Sequence, residues 1–88
     1  MNPEQRVAAI ETALRAAFND LSRCEVQDDS HEHAGHRSHG GMGHFTVRLT
    51  SPDFAGKSLI QRHRMVYAAL GDLMQTDVHA VSIDTDTP

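Results

Sequence analysis

Histidine dominates the side chains of this chain that are capable of chemistry, with seven in 88 residues. Five fall close together, at His31, His33, His36, His39 and His44; the others are His63 and His79. Neutral imidazole is a borderline-soft ligand suited to zinc, copper, nickel and iron. His31-Glu32-His33 and His33-Ala34-Gly35-His36 set imidazoles two and three residues apart, a spacing that permits chelation without demanding it. Zinc or nickel handling by this run alone is one reading. A solvated tract that holds no metal is another, because biased composition does not by itself make a site. His79 interrupts an apolar run, where an imidazole needs a hydrogen bond or a metal to offset its desolvation. His63 lies on the apolar stripe of a helical segment and is expected to be structural, satisfied by a backbone partner, with Tyr67 structural beside it.

Other chemistries find little support. The single cysteine, Cys24, allows no intrachain disulfide and no cysteine-only metal site. It sits in an alternating segment and reads as a small buried hydrophobe, not a nucleophile. Ser30 has histidines nearby but lacks a strained nucleophile elbow. No helical Glu-x-x-His pair and no phosphate-binding GxxxxGK[ST] run occurs. No enzymatic activity is expected. Eight Lys and Arg against twelve Asp and Glu leave a formal net charge of −4, so bulk electrostatics do not draw the chain to nucleic acid or to an anionic membrane. Such binding would need a local basic patch, for which Lys57, Arg62 and Arg64, joined by Arg48, are the candidates. The first residues lack the apolar run of a signal peptide or a membrane span. A soluble cytoplasmic protein with no membrane partner is therefore expected.

The elements that must position these groups follow from periodicity. Asn2 suits an N-cap and Pro3 the first helical position. Val7, Ile10, Leu14, Phe18 and Leu21 then form one helical stripe. Residues 23–27 alternate, with Cys24 and Val26 on one face of a short strand. Residues 28–43 show no apolar period and read as a long His- and Gly-rich loop. Phe45, Val47 and Leu49 mark the inner face of a second strand ending at Ser51-Pro52. Ser58 and Gln61 have the spacing of a capping box, opening a helix whose stripe is Leu59, His63, Val66, Leu70 and Leu73, with Met74 beside it. Gly71 should weaken its last turn. Residues 78–83 suit a strand buried on both faces, in which His79, Val81 and Ile83 share one side, and residues 84–88 read as a polar tail.

The expected fold is α+β: one domain over residues 1–88, in α-β-β-α-β order, with a three-stranded mixed sheet and both helices on one face. The first two strands pair antiparallel, and the second helix is a right-handed crossover to a parallel third strand.

Several stretches in fixed order carry a resemblance over nearly the whole chain. They are Glu25-Val26-x-Asp28-Asp29-Ser30-His31-x-His33-Ala34-Gly35-His36, Gly43-His44-Phe45, Phe54-x-Gly56-x-Ser58-Leu59, Arg62-His63-Arg64-x-Val66-Tyr67 and Val78-His79-Ala80-x-Ser82-Ile83, then Thr87-Pro88. Together they resemble the BolA family, whose fold is like a type II KH module. Two departures stand out. The sequence stops at the point where a further C-terminal helix, common in the family, would begin, and His36 and His39 are extra. The resemblance implies a partner of monothiol glutaredoxins that shares a bridging 2Fe–2S cluster with the glutaredoxin and glutathione. It implies His79 and a loop histidine, best matched by His33, as ligands, with His31 or His36 as substitutes. Alone, the protein is expected to hold no cofactor and to be a monomer or a weak homodimer. The resemblance also allows a DNA-binding transcriptional regulator using Lys57, Arg62 and Arg64. Against it stand the acidic balance and the single glycine, Gly56, where KH modules carry a GxxG clamp.

Overall fold

The computed structural model describes residues 2–30 and 43–88. Helix α1 spans Pro3–Ala17 and opens on a full capping box, in which the Asn2 side chain accepts from Gln5 N and the Gln5 side chain accepts from Asn2 N. Strands β1, Arg23–Asp28, and β2, Gly43–Thr50, follow. A 3-10 turn at Pro52–Phe54 leads to helix α2, Leu59–Leu70, which carries the Ser58–Gln61 capping box expected from its sequence. A single helical turn, α3, Leu73–Thr76, precedes strand β3, Val78–Asp86.

The sheet order is β1-β2-β3, with β1 antiparallel and β3 parallel to the central β2. This is the expected α-β-β-α-β arrangement. Strict alternation along β2 sends Gly43, Phe45, Val47 and Leu49 inward and leaves His44, Thr46, Arg48 and Thr50 on the outer face. Ile10 and Leu14 of α1, Phe18 at its C-cap, and Val66 and Leu70 of α2 close over that inner face. Val7, Leu21, Val81 and Ile83, expected in the core, are only partly buried at its margin. Phe54 is fully buried and sets its ring 5.0 Å from that of Phe18. A buried hydroxyl holds this corner. Ser51 Oγ donates to Asn19 O at 2.6 Å and accepts from Asp53 N, while Asn19 N donates to Asp53 Oδ2 at 2.9 Å. The end of α1 is thereby tied to the end of β2.

Four expectations are corrected. Leu59 was assigned to the buried stripe of α2, but it is 65% exposed, as is neighbouring Ile60 at 63%. The first turn of α2 extends past the core, so its apolar side chains have nothing to pack against. Leu73 and Met74 do not continue α2, because Gly71 ends it with φ 52°; they belong to α3. Residues 84–88 are not simply a tail, since the β3 ladder runs on, pairing Arg48 with Asp84 and Thr50 with Asp86. Finally, β3 is an edge strand buried on one face only, with Ala80, Ser82, Asp84 and Asp86 exposed.

Candidate functional site

His79 does not share a face with Val81 and Ile83. The ladder pairs Gly43 with Val78 but the next residue, His44, with Ala80. One residue of β3, His79, is therefore extra at this step, and the strand bulges. The bulge shifts the alternation by one position. Val78 and Val81 both turn inward, while His79 and Ala80 are exposed. His79 is thus exposed at the sheet edge and not enclosed in an apolar strand.

The outward position of His44 on β2 brings it beside this bulge. The two imidazole centroids are 5.1 Å apart, with ring planes at 47°. His44 is firmly placed, because its N donates to Ser30 Oγ at 3.1 Å and its carbonyl accepts from Asp29 N at 2.8 Å. The other side of the step is held equally well. Gly43 N donates to Asp77 O at 2.9 Å, and the Asp77 carboxylate takes Arg6 Nε of α1 at 3.3 Å. The Thr76 hydroxyl and then the Arg6 guanidinium hold the Asp77 carboxyl below its ordinary range, against opposing desolvation. A shallow polar hollow of about 370 Å³ opens next to the pair on the outer face, lined by Gln27, Asp29, His44, Thr46 and Ser82 among others. Asp29 is oriented within it by Gln27 Nε2 and by the Thr46 hydroxyl.

Of the histidines assigned a ligand role, His79 lies in this site. His33 and its substitutes His31 and His36 lie outside the described residues, as does His39. Both flanks of their segment are anchored here, since Ser30 and Gly43 each border His44. Sequence reasoning grouped His44 with the loop histidines and gave it no role of its own. Its outward place on β2 was legible in the alternation, but its nearness to His79 depends on a bulge that no periodicity announces. Among the described residues, no group of three or more His, Cys, Asp or Glu side chains is gathered to hold a metal ion.

The remaining site candidates lie elsewhere. His63 is half-buried on α2, and its shielded Nε2 has no hydrogen-bond partner among the described residues, so the expected backbone partner is lacking at that nitrogen. Tyr67 is 43% exposed. Lys57 and Arg64 are exposed, and Arg62 Nε donates back to Lys57 O at 3.1 Å, which holds these cations at the start of α2. Arg48 does not join them, because it points to the outer sheet face and donates to Gln27 Oε1. Cys24 is half-buried, and burial raises its thiol pKa, in keeping with a hydrophobe and not a nucleophile.

The match to known proteins agrees with this architecture. The BolA-like protein family model matches residues 14–88. This chain belongs to the BolA-like family. It is 41% identical over 78 residues to the DNA-binding transcriptional regulator BolA of Escherichia coli, covering 89% of this chain and 71% of that protein. To SufE-like protein 1 of Arabidopsis thaliana it is 44% identical over 75 residues, covering 78% of this chain but only 20% of that longer protein. To human BolA-like protein 1 it is 36% identical, covering 93% of this chain and 61% of that one. Among solved structures, the BolA domain of SufE1 from Arabidopsis thaliana superimposes with a TM-score of 0.82 at 41% identity, covering 94% and 92% of the two chains. Mouse BolA1 gives a TM-score of 0.77 at 35% identity, covering all of this chain and 68% of that one. No helix among the described residues is long and apolar enough to cross a membrane.

Proposed function

We propose that this BolA-like protein is a non-enzymatic partner of a monothiol glutaredoxin in the cytoplasm, and that it co-ligates a 2Fe–2S cluster held between the two proteins with glutathione. Its role would be cluster assembly, trafficking or iron and redox regulation. The observation that carries this reading is the exposed, bulged position of His79 at the sheet edge, beside Gly43 and His44 at the start of β2. A ligand offered to a shared cluster must be reachable by another protein, and His79 is exposed. The second ligand in this reading is His33, with His31 or His36 as substitutes. His33 stands three residues along the chain from Ser30, a tether of at most about 11 Å, and Ser30 is hydrogen-bonded to His44.

A bridging cluster ligated by neutral imidazoles in place of thiolates carries less negative charge and a higher reduction potential. The contribution of this chain is to hold His79 on the edge strand of the sheet and the other imidazole on the adjoining segment. That combination suits a cluster that is passed on or sensed.

The test is reconstitution with a monothiol glutaredoxin, glutathione, iron and sulfide, followed by absorbance and iron analysis. His79→Ala should abolish the normal cluster spectrum while the domain stays folded, since exposed substitutions cost at most about 0.5 kcal/mol. His33→Ala should weaken or shift it. An unchanged spectrum in both variants would refute the ligand assignment.

A DNA-binding role is the second reading, favoured by the 41% identity to a DNA-binding transcriptional regulator. Lys57, Arg62 and Arg64 at the start of α2 would then contact phosphates. Affinity that falls steeply with salt, and that drops when these three are neutralised, would support it.

A further inference from the structure

We propose that the open edge of β1 is a self-association surface, at which two copies of this chain pair antiparallel about Val26 and join their three-stranded sheets into one. The sheet has two edges, β1 and β3, and their chemistry differs. β3 carries the bulge at His79 and the exposed Asp84 and Asp86; a bulge and charge of one sign both discourage a further strand. β1 pairs with β2 without a bulge from Arg23 to Asp28, and its exposed face carries groups of both signs and an amide, Arg23, Glu25 and Gln27. The direction of its backbone groups is set by β2. Asp29 N donates to His44 O, so by antiparallel alternation residues 23, 25, 27 and 29 turn their N–H and C=O groups to β2. Cys24, Val26 and Asp28 therefore turn theirs to the open side.

Charge complementarity selects both a second copy and its register. A two-fold axis at Val26 sets Val26 against itself, Cys24 against Asp28, Glu25 against Gln27 and Arg23 against Asp29 of the other copy. Each Arg23 guanidinium then faces a carboxylate and each Glu25 carboxylate faces an amide, and the symmetry makes both contacts twice. The neighbouring registers set Glu25 against its own copy or against Asp29, which are like-charged pairs. A further shift, which faces Cys24 with Cys24, leaves Gln27 and Asp28 beyond the end of the other strand. On the inner face, Cys24 and Val26 are only partly buried at the margin of the core, and the added strand covers apolar surface there. One strand pair is a small interface, in the size class of weak, reversible contacts. Because β1 and β3 are opposite edges, the pairing leaves His79 of both copies open to another protein.

The experiment uses the full chain alone, so its outcome is separate from that of the cluster reconstitution. Sedimentation equilibrium from about 10 μM to about 1 mM should show a reversible monomer–dimer equilibrium. Val26→Pro removes an N–H that points away from β2, which an edge strand tolerates, and should weaken dimerisation about tenfold or more with an unchanged circular dichroism spectrum. Gln27→Glu leaves the backbone intact, sets like charges opposite each other twice and should weaken it about threefold or more, an effect that shrinks at high salt. The register is read with thiols. In Cys24→Ser/Val26→Cys the new thiols face each other across a hydrogen-bonded pair, with Cα atoms about 5.5 Å apart, within disulfide reach. Oxidised glutathione should therefore link these chains, whereas the native Cys24 residues stand about 14 Å apart and should stay unlinked. A monomer over the whole concentration range would overturn the proposal and leave the edge to a strand of another protein. Dimerisation indifferent to both Val26→Pro and Gln27→Glu, or a disulfide at Cys24 and none at position 26, would overturn it equally.

Discussion

Adding one carbon at Gly43 tests the packing that supports the histidine pair. A Cβ there would stand 2.7 Å from Phe45 Cε2, 2.9 Å from Phe45 Cζ and 2.8 Å from Ser30 Oγ, all below the 3.0 Å that such atoms essentially never breach. The Phe45 ring is 1% exposed and locked in the core. Ser30 can rotate away, but its Oγ then abandons His44 N, a hydrogen bond whose loss costs about 0.5–1.5 kcal/mol. Overpacking of this kind costs about 1–3 kcal/mol, and the stiffer unfolded chain of an alanine variant returns about 0.4–1 kcal/mol. Gly43→Ala should therefore lose about 1–2 kcal/mol, which for a domain of this size lowers the melting temperature by about 5–15 °C. Urea and thermal unfolding followed by circular dichroism would measure it, with an unchanged urea slope showing that the folded state is intact. The clash also predicts coupling. Phe45→Leu should cost at least about 0.5 kcal/mol less in the alanine background than in the parent, because it makes room for the new methyl. A variant that melts with the parent, or a strictly additive double-mutant cycle, would refute the argument.

Truncation at the corner of the fold should be far more damaging than truncation on α2. Phe54→Ala removes a fully buried ring packed on Phe18 and should cost about 3–5 kcal/mol, a large part of the stability of any small domain, whereas Leu59→Ser at a 65% exposed site should stay within about 0.5 kcal/mol by urea unfolding. Acid should act through Asp77. The fold lowers the pKa of this carboxyl, so its contribution is full above the ordinary value of 3.8 and is lost as pH falls through the lowered one. Wild type and Asp77→Asn should then differ in urea midpoint at about pH 6 and converge near about pH 2; a gap that persists at the acid end would contradict this.

Much of the architecture was legible because local signals agreed with one another. The Asn2 and Ser58 caps, the stripe of α1 and the alternation of β2 each name an element and a face, and the long connection through α2 leaves a parallel third strand as the natural partner. What failed is instructive. Leu59 lies on the right helical angle, but periodicity says nothing about how far the core extends along the axis. His79 lies on the right parity for an inward residue, but a one-residue bulge reverses parity, and only pairing with β2 reveals it. Phe54 falls in a three-residue turn too short to show any period, so its burial follows from the Ser51, Asn19 and Asp53 network and not from pattern. The site was half visible for the same reason: the chemistry of histidine can be read from composition, but the meeting of His44 with His79 is a product of register.

That meeting depends on the parallel pairing of β2 with β3, whose two partners are separated by the whole α2 crossover. During synthesis His44 leaves the ribosome well before His79, and the two face each other only after the crossover has closed and the last strand has docked. A partly made or misfolded chain can present its loop histidines, but it cannot present the pair. The contact between the two rings is thus a mark of the finished sheet, made only once the last strand has paired.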